Sequence, residues 1–172
     1  MLISFGQFEL ELLTVIAEAV KKRFGCEVKT AVSFCELAKY YDPARRQYDA
    51  NLLLAHILEE FGSDDVKAIG LFRVDLFIPV LTYIIGQAVY KGNAGVVSIY
   101  RLKNELYGLK RDDRLLFERF VKEIIHELGH TFGLTHCFSP SCVMRSGVYV
   151  EDVDQRDSYF CSQCSAKIRE SD

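Results

Sequence analysis

The stretch His126-Glu127-Leu128-Gly129-His130-Thr131-Phe132-Gly133-Leu134-Thr135-His136-Cys137 leaves this chain few ways to fold. It reads H-E-x-x-H-x-x-G-x-x-H with a cysteine attached. Two histidines four apart lie one turn apart on the same face of a helix. Both imidazoles can then reach one tetrahedral Zn²⁺. Gly133 is suited to end that helix in a left-handed conformation and turn the chain back, which brings His136 round as a third ligand. Three protein ligands leave a fourth position open, the mark of a catalytic rather than a structural zinc. Glu127, beside the first ligand, is placed to act over that position as general base.

The helix itself is readable from its apolar spacing. Leu116, Phe120, Ile124 and Leu128 recur every four residues, so one face is buried and His126 and His130 ride near the C-terminal end. Beyond His136 the texture changes. Residues 137–164 are short of aliphatic side chains and rich in Ser, Asp and Cys. Such a stretch orders poorly without a staple. Four of the chain's 6 cysteines fall there: Cys137 and Cys142 as C-x4-C, Cys161 and Cys164 as C-x2-C. Two close pairs separated by a loop are a common layout for a four-thiolate structural zinc. That zinc would replace the missing apolar core. A disulfide and a redox role for Cys161 and Cys164 are the weaker readings. Cys26 and Cys35 have no partner spacing and read as core or near-core thiols. With the histidine site, the expectation is two Zn²⁺ per chain, one catalytic and one structural. His136 and Cys137 then join the two sites covalently.

Upstream, the pattern reads strand, helix, strand, helix, three strands and helix. The strands fall at residues 2–5, 27–33, 66–74, 81–90 and 94–102, with Lys91-Gly92-Asn93 as a turn between the last two. Residues 40–48 read as loop and Asp75 to Pro79 as a break. Alternation of strand and helix implies parallel pairing, and the turn adds one antiparallel strand. The expected class is mixed α/β (α+β): a small twisted mixed sheet, two or three long helices and an irregular, zinc-stapled C-terminal part. At 172 residues the chain is expected to form a single domain, with residues 1–133 as an N-terminal subdomain and 134–172 as a C-terminal one.

Composition serves mainly to exclude. A formal charge of −3 and no basic-aromatic stripe argue against a nucleic-acid partner. No basic n-region, cleavage site or membrane-length apolar run is evident, so a cytoplasmic monomer away from membranes is expected.

The triple-histidine motif is that of the metzincin metallopeptidases. Together with Cys137, Cys142, Met144, Cys161 and Cys164 it resembles the archaemetzincin family. Val74 to Phe77, Gly86-Gln87-Ala88 and Val96 to Leu102 resemble family segments ahead of the active-site helix, so the likeness spans residues 66–164. The resemblance implies a metzincin-like zincin fold. It also implies Met144 as the Met-turn, an apolar floor beneath the catalytic zinc, and a second zinc on the four cysteines. An edge strand above the zinc would pair with an extended peptide, and residues 84–90 or 94–101 are the candidates. The implied activity is hydrolysis of peptide or protein substrates. The alternative is a catalytically silent or tightly gated zinc-containing peptide-binding or regulatory protein; Glu127 speaks against the silent form. Tyr149, five residues beyond Met144, is a minor candidate for stabilising an oxyanion and reads better as aromatic packing.

Overall fold

The computed structural model describes residues 1–170. In chain order the elements are β1 (Leu2–Phe5), α1 (Leu10–Phe24), β2 (Thr30–Ser33), β3 (Tyr41–Asp42), β4 (Gln47–Asp49) and α2 (Ala50–Phe61). Then come β5 (Ala68–Phe72), β6 (Leu76–Ile78), β7 (Leu81–Ile84), β8 (Gly86–Ala88), β9 (Ala94–Ser98), α3 (Asp113–Thr131), α4 (Val150–Gln155) and α5 (Ser162–Arg169). The main sheet runs β2-β1-β5-β9-β8, parallel except for β8, which pairs antiparallel with β9.

Every residue of β1, β5 and β9 is buried, because both faces of the sheet are covered. Alternate side chains serve alternate cores. Leu2, Ile69, Leu71 and Val97 pack with Leu13 and Ile16 of α1 and Phe120 and Ile124 of α3. Ile3, Phe5, Ala68, Phe72 and Val96 pack with Leu53 and Ile57 of α2 on the other face. Phe8 stacks on Phe120 and Phe24 on Phe132, with centroids 5.8 and 5.0 Å apart. These contacts fix α3, and its histidines, against the sheet.

Four expectations change here. Residues 81–90 are not one strand. The buried Ile85 separates β7 from β8, and its carbonyl accepts from Ser98 N at 2.8 Å. The chain thereby passes between sheets. β7 joins a second, four-stranded sheet, β3-β4-β6-β7, whose other three strands come from segments that the sequence presented as loop or break. Strands of two or three residues are too short to show an alternating pattern. The tail is also less irregular than its composition implies. It contains α4 and α5, anchored by Val150, Val153, Cys164 and Ile168. Cys26 is exposed and Cys35 half-buried, so Cys26 is not a core thiol. No helix among the described residues is long and apolar enough to cross a membrane.

Arg119 ties α3 to its surroundings. Its guanidinium donates to both carboxylate oxygens of Asp154 at 2.6 Å, and to Leu102 O and Asn104 Oδ1 at 2.8 Å. The arginine is buried, while a third of the Asp154 side chain meets solvent. Breaking a fully buried pair costs about 3–5 kcal/mol, so the partial exposure places this one near the lower end. Arg119→Met is expected to lower Tm by roughly 6–12 °C in a thermal melt. An unchanged Tm would show that the pair carries no net stability.

Candidate active site

His126 and His130 sit in the last two turns of α3, which Asp112 caps at its start by accepting from Leu115 N at 2.9 Å. At the other end Gly133 adopts φ +84°, where a side chain would be strained. Its N–H donates to His130 O at 2.9 Å, and Leu134 N donates to Gly129 O at 3.0 Å. The chain turns back as the motif requires. The His136 ring arrives with its centroid 5.3 Å from that of His126 and 5.0 Å from that of His130.

The donor atoms test whether a metal fits. His130 Nδ1 lies 2.8 Å from Leu134 O, and His126 Nδ1 lies 2.8 Å from Val143 O. A carbonyl only accepts, so these contacts place the protons on Nδ1 and leave lone pairs on Nε2. The two Nε2 atoms face each other at 3.1 Å. Facing lone pairs repel unless a cation lies between them, and that tautomer is the metal-binding one. Nitrogen atoms of all three histidines lie within 4.8 Å of one another. The residues present therefore fit a tetrahedral zinc with three nitrogen ligands. Burial, then the nearby Arg156 guanidinium, hold His126 well below the usual histidine range, which keeps it neutral.

Glu127 shares the cleft with these histidines and lies against β8 at the sheet edge. A Cβ on Gly86 would stand 2.8 Å from both Glu127 Cγ and Oε1, so glycine at this point of β8 makes room for the carboxylate. Burial, then the Glu123 carboxylate one turn back, push the Glu127 carboxyl well above the usual carboxylate range. Arg156 pulls it the other way.

A cleft of about 410 Å³ opens over the site. β7 and β8 line one wall with Tyr83, Ile84, Gln87 and Ala88, and residues 146–148 line the other. Tyr83 Oη donates to Val148 O at 3.2 Å across one end. β8 is the last strand of the main sheet, whereas β9 lies between β5 and β8. Of the two candidate edge segments, only the first has a free edge. Tyr149 is 63% exposed, so it is not packed as an aromatic core residue. It is also absent from the cleft lining, where Val148 stands instead.

Met144 lies fully buried under α3, close against Gly129, where any side chain would strike its sulfur. Its carbonyl accepts from Cys137 N at 2.9 Å, which ties the turn around Met144 to the residue after His136. The four cysteines come together beyond that joint, their Sγ atoms all within 4.8 Å of one another. Zinc–sulfur bonds of about 2.3 Å set tetrahedral S···S edges of about 3.8 Å. Cys137 and Cys161 Sγ stand 3.7 Å apart. Ser139 N and Cys161 N point at the sulfurs of Cys137 and Cys142, at 3.4 and 3.3 Å. Such N–H groups stabilise thiolates. The N–H of Cys164, followed by the neighbouring thiols, brings Cys161 down to about 7. Burial pushes Cys142 and Cys164 up.

Two residues here carried no signal in the sequence. Glu123 and Arg156 form a buried ion pair directly behind His126.

The chain is similar to known proteins over nearly its whole length. The sequence profile of peptidase family M54 matches residues 7–170. An archaemetzincin from Thermococcus kodakarensis is 37% identical over 98% of this chain and 94% of its own length. The crystal structure of an archaemetzincin from Methanopyrus kandleri superposes with a TM-score of 0.84 at 32% identity, covering 99% of this chain and 94% of that one. That of a zinc-dependent peptidase from Methanocorpusculum labreanum does so with a TM-score of 0.79 at 27% identity, covering 98% and 100%.

Proposed function

The chain belongs to peptidase family M54, the archaemetzincins, and is a zinc metallopeptidase; from that premise we propose the residues and the division of labour. His126, His130 and His136 hold the catalytic zinc, Glu127 is the general base, and Cys137, Cys142, Cys161 and Cys164 hold a second, structural zinc. The substrate is a peptide or protein lying along β8. The observation that carries this reading is the convergence of three imidazole nitrogens with the buried Glu127 carboxylate in a single cleft.

Zinc, when bound, supplies a Lewis acid that polarises the scissile carbonyl and makes a neighbouring water more acidic. The protein supplies the rest. The free edge of β8 offers backbone groups to an extended peptide, which sets its register along the cleft. Glu127 takes a proton from the attacking water and returns it to the leaving amine. Burial, then Glu123, raises its affinity for that proton, and the Arg156 guanidinium works against this, so the carboxylate is poised to exchange it. Met144 and Gly129 pack the underside of the site so that His126 and His130 keep their rotamers. The subdomain division between residues 133 and 134 then puts the β7–β8 wall on one side and the 146–148 wall, with Met144, on the other.

Metal analysis of the purified protein is expected to give two zinc ions per chain, and an unbiased peptide library is expected to be cleaved. One zinc would remove the two-site reading. Two zinc ions with no cleavage would favour the peptide-binding alternative. The map of cleaved bonds also separates internal cleavage from trimming at the N-terminus.

A further inference from the structure

Arg156 is 3% exposed and Glu123 4%, and they lie against the first histidine of the motif. Glu123 precedes His126 by three residues on α3, so the two share a face. Arg156 follows α4, some thirty residues later. Its NH2 donates to Glu123 Oε1 in a close ion pair. Its NH1 donates to Val143 O at 3.1 Å and to Arg145 O at 2.7 Å, the carbonyls on either side of Met144. Val143 O is also the acceptor for His126 Nδ1, at 2.8 Å. Two donors therefore converge on one carbonyl, and they stand 2.9 Å apart.

Stability alone is a poor reason for this arrangement. Buried ion pairs often give no net stability over apolar residues of the same size. This one also leaves Arg156 Nε without a partner. The geometry has a different use. Arg156 holds fixed the carbonyl that selects the His126 tautomer, and holds it relative to Met144 and the helix at once. A guanidinium beside a zinc ligand would repel the cation, and Glu123 cancels that charge.

We propose that Arg156 and Glu123 are positioning residues for the catalytic zinc: Arg156 clamps the backbone on both sides of Met144 and so orients His126, while Glu123 neutralises the guanidinium beside that ligand. The proposal rests on the reading that His126, His130 and His136 bind zinc. Outer partners of metal-bound histidines typically contribute 10–100-fold in metal affinity.

The test compares wild type with Arg156→Lys, and with the double variant Glu123→Met/Arg156→Met. Lysine keeps a charge for Glu123 but has one nitrogen where the guanidinium uses two, NH1 for the carbonyls and NH2 for Glu123, so it cannot hold both in place at once. The double variant removes the pair without stranding a buried charge. Zinc affinity and stoichiometry are read by competition with a chelating dye, folding by Tm, and ligand geometry by the visible absorption of the cobalt-substituted proteins. Both variants are expected to bind one zinc as wild type does and the other about 10–100-fold more weakly. The cobalt spectrum of the weaker site is expected to shift, and the double variant to keep a Tm close to wild type. Wild-type zinc affinity in Arg156→Lys, or wild-type affinity and spectrum in a folded double variant, would overturn the proposal. A wild type that binds zinc only through the cysteines would instead overturn the histidine-site reading beneath it.

Discussion

Glu127→Gln is expected to lower kcat/KM for peptide hydrolysis by about 10³-fold or more while both zinc ions stay bound. Glutamine has the same shape as glutamate, so it fits the space that Gly86 leaves open. It differs in having no carboxylate to take a proton. Glu127 accepts none of the hydrogen bonds that set His126 and His130. His130 is held by Leu134 O and His126 by Val143 O, so metal binding should survive. Glu127→Asp provides the graded comparison. It retains the charge but withdraws the carboxylate by about 1.5 Å, one carbon–carbon bond. A displacement on the ångström scale can cost about 10²-fold, so Asp should fall between wild type and Gln. Steady-state hydrolysis with metal analysis of the same samples checks all three. Activity in Glu127→Gln within tenfold of wild type would remove Glu127 as the base. Loss of zinc from that variant would mean that the carboxylate helps assemble the site rather than move protons.

How much of this site could be read beforehand depended on how local its logic is. His126, His130, Gly133 and His136 are joined by helix pitch and one left-handed residue, so spacing alone implied their meeting, and the structure brings them together. The two cysteine pairs were visible for the same reason. The central strands were visible because burial on both faces makes continuous apolar runs such as Ala68 to Phe72. The second sheet was not, since Tyr41–Asp42 and Gln47–Asp49 are too short to carry a period and depend on β6 for pairing. The helices of the tail were hidden differently. α4 buries only Val150 and Val153, and α5 only Cys164 and Ile168, so each is held by neighbours rather than by its own pattern. Arg156 and Glu123 lie furthest from any such rule. A buried ion pair between residues 33 apart leaves no trace in sequence, because its register is set only when the tail folds over α3.

Cys164→Ser is expected to cost one zinc ion per chain and to lower Tm by roughly 6–20 °C. Residues 137–170 bury few aliphatic side chains of their own: Leu134 lies before them, and Val143, Val150, Val153 and Ile168 reach into the shared core. Structural zinc in small domains is worth about 10–16 kcal/mol, against a typical whole-domain stability of about 5–15 kcal/mol. Losing even a third of that is roughly 3–5 kcal/mol. At about 2–4 °C per kcal/mol for a chain of this size, the melting temperature must move visibly. The effect should also reach the first site. Cys137 N donates to Met144 O at 2.9 Å, and His136 is its neighbour in sequence. Once the four sulfurs separate, the loop that presents His136 and the turn that floors the cleft lose a common anchor. Zinc affinity at the histidines should therefore fall in Cys164→Ser, although no histidine is altered. A calorimetric melt paired with zinc analysis, and repeated on wild type after prolonged chelation, distinguishes the outcomes. Two zinc ions with an unchanged Tm would rule out a structural metal on the cysteines. A lower Tm with the histidine zinc undisturbed would show that the joint between His136 and Cys137 transmits nothing.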